Sequence, residues 1–242
     1  QGVKQWTQQF GTSRGDIAYD IAADTLNNIY VTGYTQYELD GNTFAGDWDL
    51  FVVKYNKDGT RQWTRQLGTT ELDVGSRITT DSSGNIYVTG YTYGNFEGNI
   101  NSGGNDVLIV KYNSSGVMQW AQQLGTQYSD NAYGISTDSI GNVYVTGYTS
   151  GNLDGNTSAG EGDLFVVKYD SNGIKQWTRQ IGTSTGDTGQ GIAIDPYDNI
   201  FVAGVTNSQF DGNANFGSQD LFLVKYDSSG LKQWSRQFGT PM

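Results

Sequence analysis

The sequence predicts an all-β chain built from four copies of one four-stranded antiparallel unit, with a surplus strand left over. Three observations predict it. Trp6, Trp63, Trp120, Trp177 and Trp234 stand 57 residues apart each time, with no insertion or deletion between copies. Glycine is abundant at 34 residues while proline is reduced to 2, which suits many short strands joined by tight turns. The apolar residues are mostly β-branched or aromatic, and no stretch shows helical spacing.

Within the first unit the elements follow in a fixed order. Residues 1–10 are a first copy of the Trp strand. A short loop ends at Asp16, and a strand covers 17–23. Residues 24–27 turn the chain into N-I-Y-V-T-G-Y-T (28–35), the clearest strand of the unit. A long Gly/Asn/Asp loop leads to Trp48, a third strand covers 49–55, and N-K-D-G (56–59) turns into the next Trp strand. Tyr30, Tyr87, Tyr144 and Phe201 coincide in the repeat, as do Ile21, Ile78, Ile135 and Ile192. Gly33, Gly90, Gly147 and Gly204 sit inside the second strand, where glycine costs stability, so a bulge or a close backbone approach is expected there. Gly59, Gly116, Gly173 and Gly230 close a turn that calls for positive φ.

A unit this short cannot bury its own apolar face, so the units must pack side by side. Four-stranded units with an aromatic in each describe propeller blades. The blocks D-S-S-G-N-I-Y-V-T-G-Y-T (81–92), D-L-F-V-V-K-Y-D (163–170) and K-Q-W-T-R-Q-I-G-T (175–183) resemble the bacterial β-propeller repeat called SBBP, and the resemblance covers all four units. It implies a propeller of secreted or surface-anchored bacterial proteins and lends no common activity. The N-I-Y-V-T-G run is also similar to the second strand of kelch blades. By that analogy the strand after Asp16 is innermost and the Trp strand outermost.

With that phase, one domain (1–242) holds blades at about 17–67, 74–124, 131–181 and 188–238, and a closed ring of four is expected, with a larger ring completed by other units or chains as the alternative. Residues 1–10 are then an extra outer strand. In a closed ring it belongs on the edge of the last blade, where 230–238 already supplies one. Unpaired edges are templates for strand addition. Lys4, Gln5, Trp6, Gln8, Lys232, Gln233, Trp234 and Gln237 are therefore candidate assembly residues, for head-to-tail association into a filament. The competing readings are a longer array of which this is an excerpt, or a frayed end. The chain starts at Gln1 rather than Met, which fits either removal of a signal peptide or an excerpt.

The chain has no Cys and no His, which removes disulfides, thiolate chemistry and imidazole catalysis together. A net charge of -11 repels phosphate backbones, so no nucleic-acid partner is expected. No apolar run is long enough for a transmembrane helix. The acidic, Cys-free composition suits an extracellular or cell-surface protein.

Carboxylates recur in four sets. Asp16, Asp73, Asp130 and Asp187 precede the innermost strand, and Asp24, Asp81, Asp138 and Asp195 follow it. Asp40, Glu97, Asp154 and Asp211 lie in the long loop, and Asp49, Asp106, Asp163 and Asp220 open the third strand. Antiparallel order puts the first, third and fourth sets on one face and the second opposite. The first and fourth sets are candidate Ca²⁺ ligands, since calcium takes carboxylate, amide and carbonyl oxygens. Asn42, Asn99, Asn156 and Asn213 would be companions. The other reading is that these aspartates accept backbone N–H groups and set turns, and no EF-hand spacing is present. No other cofactor is expected.

Catalysis by paired carboxylates needs two different environments, whereas these recur in near-identical ones, so no enzyme is expected and no catalytic residue is assigned. Trp48 and Tyr37 break the repeat, and could stack on a sugar or anchor a partner, or else cover the loop's own backbone. Lys54, Lys111, Lys168 and Lys225 are expected to pair with a nearby Asp or Glu, and Arg65, Arg179 and Arg236 to be solvated edge charge. Two functions are left: a non-enzymatic structural propeller that associates with itself, or a lectin-like propeller that binds an extracellular glycan or protein through the Asp-Gly-Asn loops, gaining avidity from repetition.

Overall fold

The computed structural model describes residues 2–241. Among these the chain forms sixteen strands in four antiparallel sheets, each a meander in sequence order. Blade 1 holds β1 (Asp16–Ala23), β2 (Ile29–Thr35), β3 (Asp49–Tyr55) and β4 (Arg61–Leu67). Blade 2 holds β5 (Asp73–Thr80), β6 (Ile86–Thr92), β7 (Asp106–Tyr112) and β8 (Met118–Leu124). Blade 3 holds β9 (Asp130–Thr137), β10 (Val143–Thr149), β11 (Asp163–Tyr169) and β12 (Lys175–Ile181). Blade 4 holds β13 (Asp187–Ile194), β14 (Ile200–Thr206), β15 (Asp220–Tyr226) and β16 (Lys232–Phe238). The Trp strand is outermost in every sheet, and the first strand of each packs on that of the next blade.

The core lies between blades rather than within them. One cluster joins Tyr30, Leu50 and Val52 of blade 1 to Ile78, Val88 and Tyr112 of blade 2, and equivalent clusters join blades 2 to 3 and 3 to 4. Central strands are therefore buried on both faces, which is why β7 reads D-V-L-I-V-K-Y without alternation.

The glycines inside the second strands do what their position implied. A Cβ on Gly90 would lie 1.8 Å from the Val74 carbonyl oxygen, and Gly33, Gly147 and Gly204 are pressed against the first strand in the same way. Opposite each of them the first strand bulges, between Ala18 and Asp20, Gly75 and Arg77, Ala132 and Gly134, and Gly189 and Gly191. The bulged residues are Tyr19, Ser76, Tyr133 and Gln190. A bulge re-aims its side chain, and these four turn toward a common axis.

A closed ring of four was expected, and here the structure differs. β1 packs on β5, β5 on β9 and β9 on β13, but no comparable packing joins blade 4 to blade 1. The arc is open. Ile17, Tyr19 and Ile21 on blade 1 are 42%, 48% and 63% exposed, while Leu221 and Phe238 on blade 4 are 61% and 53% exposed. Their counterparts Val74, Leu50, Val107 and Leu164 are buried at the inner junctions.

The leading segment also departs from expectation. Its described residues, 2–10, pair with no strand and lie on the outer side of blade 1, where a preceding blade would sit. Trp6 covers Gly59 as Trp63, Trp120 and Trp177 cover Gly116, Gly173 and Gly230. Trp6 Nε1 donates to the Lys57 carbonyl, the counterpart of the bond from Trp120 Nε1 to Ser171. Gln8 donates to the Gly59 carbonyl, and Phe10 packs edge-on against Phe51. The physical reason is that Gly59 offers the bare backbone shelf every Trp in the repeat uses, while the edge of blade 4 lies across the gap.

Candidate functional site

The second carboxylate set is a turn device. Asp24 Oδ1 accepts the N–H groups of Leu26 and Asn28, and Oδ2 accepts from the Asn28 amide and the Tyr30 hydroxyl. Asp81 and Asp138 repeat the arrangement. In Asp195 the hydroxyl is lost because Phe201 replaces the tyrosine.

The first and fourth sets are buried except for Asp16, which is half-buried on the open side of blade 1. Asp49 Oδ2 accepts from the Ala45 N–H at 2.9 Å and from the Gln66 amide at 2.8 Å. Asp106, Asp163 and Asp220 each accept a loop N–H and a glutamine amide in the same way, the last of these from Gln237. The other oxygen of each of these four is buried without a hydrogen-bond partner. Asp16, Asp73, Asp130 and Asp187 each accept the N–H and hydroxyl of the threonine four residues earlier. Burial, opposed by hydrogen bonds from Thr92 and Thr69 and reinforced by the charge of Asp49, pushes Asp73 up to about 6. Burial likewise raises Asp49, Asp106, Asp130 and Asp187. Among the described residues, no three His, Cys, Asp or Glu side chains converge where one ion could be held.

The third set sits at positive φ in the long loops, and its three aspartates bind the outer strands. Asp40 pairs with Arg61 at 2.7 Å, Asp154 with Lys175 and Asp211 with Lys232. Asp40, Asp154 and Asp211 also accept from Thr64, Thr178 and Ser235. Met118 stands where the other blades have Arg61, Lys175 and Lys232, and Glu97 forms no ion pair among the described residues. Asn42, Asn99, Asn156 and Asn213 turn their amides onto the carbonyls of Leu39, Phe96, Leu153 and Phe210, so they brace the loop.

Trp48 stacks on Tyr34 with ring centroids 4.1 Å apart, so one face of its indole is used internally. Tyr37 is exposed, near Phe44 and Arg14. Of the assembly candidates, Trp6 and Gln8 dock on blade 1, while Lys232 and Gln237 are engaged inside blade 4. Gln5 bonds to the Val3 carbonyl and Gln233 to Asp227, both at the surface. Lys4 is exposed.

The strand lysines correct an expectation. Lys54, Lys111 and Lys168 reach the carbonyls of Ser114, Ser171 and Ser228 in the next blade's turn rather than a carboxylate. Each also lies over the Tyr30, Tyr87 or Tyr144 ring, 5.0 to 5.3 Å from its centroid. The outer arginines are corrected too. Arg65 and Arg179 donate to the carbonyls of Gly116 and Gly230, bolting one blade to the next. Arg236 bonds only to the Ser235 carbonyl among the described residues.

The axis carries side chains that repeat-based reasoning missed. Tyr19, Val74, Ser76, Arg77, Tyr91, Tyr133 and Gln190 line a cavity of about 380 Å³ that takes residues from all four blades. Tyr19 lies 5.9 Å from Tyr34, Tyr91 6.2 Å from Tyr93, and Tyr133 6.0 Å from Tyr148. Burial, then the neighbouring Tyr19, Tyr93, Tyr133 and Tyr34 hydroxyls, push Tyr91 up to about 12. The signal that could have found this site is the failure of the repeat: Tyr/Ser/Tyr/Gln at one position and Asp20, Arg77, Gly134 and Gly191 at the next.

The SBBP beta-propeller repeat model matches at residues 5–37, 62–97, 119–154 and 176–211, each match opening on a Gln-Trp pair. An uncharacterized WD repeat-containing protein of Acanthamoeba polyphaga mimivirus is 26% identical over 79% of this chain and 18% of its own length. The regulatory protein FlaEY of Caulobacter vibrioides is 27% identical over 95% of this chain and 25% of its own. This chain thus spans a quarter or less of the curated relatives it matches. Among solved structures, a Bacteroides caccae protein of unknown function aligns over 91% of this chain and 81% of its own, with 13% identity and a TM-score of 0.43. With four matches spread over all four sheets, the chain belongs to the SBBP beta-propeller repeat family.

Proposed function

We propose that this chain is a non-enzymatic interaction propeller whose open ends associate head to tail, a blade of one copy completing the arc of another. The observation that carries this reading is the pair of exposed end faces, each the counterpart of a face buried at every inner junction. The two faces differ. Blade 4 presents Leu221 and Leu223, and blade 1 presents Ile17 and Ile21, so the contact is heterologous rather than two-fold. Apolar surface of this kind marks an interaction site. The counterpart of Arg236 in blades 1 and 3 reaches into the next blade, so a docked copy also gives Arg236 its missing carbonyl. The Cys-free acidic composition supports an extracellular or cell-surface setting, and the lack of Cys and His supports a reading without thiolate or imidazole catalysis.

Residues 2–10 stand in the way of this contact, because Trp234 of an incoming blade needs the Gly59 shelf that Trp6 occupies. Deleting them is expected to strengthen association, read as mass against concentration by light scattering. Leu221→Asp is expected to leave the protein monomeric in the same assay. A parent and a truncated protein that are both monomeric throughout would overturn the proposal. The loop-based carbohydrate reading draws less support, since three of its four carboxylates are held in ion pairs.

A further inference from the structure

The axial cavity is built rather than incidental. Four glycines force four bulges, and every bulge delivers one side chain to the axis. The framework is repeated while the delivered residues are not, so the repeat is strict where it shapes the cavity and relaxed in what it places there. Three blades contribute one tyrosine each, Tyr19, Tyr91 and Tyr133, and each of these rings lies beside a second tyrosine, Tyr34, Tyr93 or Tyr148. The fourth contributes the amide of Gln190. Aromatic faces with hydroxyl and amide groups at their rims suit the ring of a sugar, which is apolar on its faces and hydroxylated at its edge.

Arg77 decides the class of sugar. It is half-buried, lines the cavity and, among the described residues, forms no ion pair. Among the described residues its one side-chain hydrogen bond goes from Nη1 to the adjacent Ser76 carbonyl, with no partner there for Nε or Nη2. Asp20, the acidic residue at the same repeat position, is turned instead to the Ile78 N–H. A guanidinium held in a partly desolvated site without a counter-ion calls for an anion, and its fork matches a carboxylate.

We propose that the axial cavity binds a sugar unit bearing one carboxylate, a uronate, with Arg77 on the carboxylate and Tyr19, Tyr91 and Tyr133 around the ring. The net charge of -11 opposes a long polyanion, so the site takes a single uronate unit or chain end. This reading is independent of the end-face association.

The test is a titration of the full chain with methyl glucuronide, using methyl glucoside as the neutral sugar of the same shape, followed by the arginine Nε–H signals in nuclear magnetic resonance. The expected result is a saturable shift of the Arg77 signal by the glucuronide, with the glucoside binding at least about tenfold more weakly. Arg77→Gln is expected to erase the preference between the two sugars, and Tyr133→Leu to weaken both; thermal melts of each variant establish that it folds. The wild-type Arg77 signal reports even where a variant fails to fold. If neither sugar moves it, or if Arg77→Gln keeps the preference for the glucuronide, the proposal is overturned.

Discussion

Replacing Gly90 by alanine is expected to destabilise the protein by about 4 kcal/mol, among the largest effects a single methyl group can have. The added Cβ would stand 1.8 Å from the Val74 carbonyl oxygen and 2.9 Å from the Ser76 nitrogen, both backbone atoms that no rotamer change can move aside. Relief requires opening the β5–β6 pair at the bulge, and β5 is packed against blades 1 and 3 at once. Gly98→Ala is the comparison. Its φ of +83° is unfavourable for alanine, but nothing lies within 4 Å of the new atom, so about 1 kcal/mol is expected. Denaturant midpoints of the two variants read the difference. Equal losses would show that the close approach at Gly90 is not what holds the strand pair. Because the same glycine recurs at Gly33, Gly147 and Gly204, the result bears on how every blade aims its axial residue.

The parts of this molecule that were legible in the sequence are those whose causes lie within one repeat. The strand around Tyr30, the Asp24 turn and the glycine bulges each depend on residues a few positions apart or directly across one hairpin. What was not legible depends on the neighbouring blade. Arg65 finds its carbonyl acceptor 51 residues away, and Lys54 finds its own 60 residues away, so both read as surface charge or as partners for a nearby acid. The open arc was hidden for a related reason. A strict repeat specifies how one blade meets the next, and the angle between them is set by side-chain packing that no spacing records. The axial site escaped because reasoning from a repeat looks at what recurs. Tyr19, Ser76, Tyr133 and Gln190 do not recur, and only their shared bulge reveals that they occupy one place.

Stability is expected to fall by a few kcal/mol as pH rises from about 4.5 to 7, the reverse of ordinary acid denaturation. Asp73 carries the largest part. Burial raises it from 3.8 to about 6, so the folded chain keeps a proton there that the unfolded chain releases. A group raised in this way contributes fully below 3.8 and loses its contribution as pH passes through 6. For Asp73 alone that is at most about 3 kcal/mol, with smaller terms of the same sign from Asp49, Asp106, Asp130 and Asp187. Asp24 works the other way: hydrogen bonds from Asn28, Tyr30 and Leu26 outweigh its burial and lower it, so its contribution is lost only below 3.8. Thermal melts across this range should therefore show a maximum on the acid side, and Asp73→Asn should flatten the slope between 4 and 6. Calcium separates two versions of the blade junction. A cation between carboxylates such as Asp49 and Asp73 would hold both ionised and supply the partner that the second oxygen of Asp49 lacks. In that case the slope reverses when calcium is added and returns with a chelator. Without that reversal the junction aspartates act as buried, proton-holding turn residues. A slope that rises toward neutral pH in chelator would contradict the burial of the set.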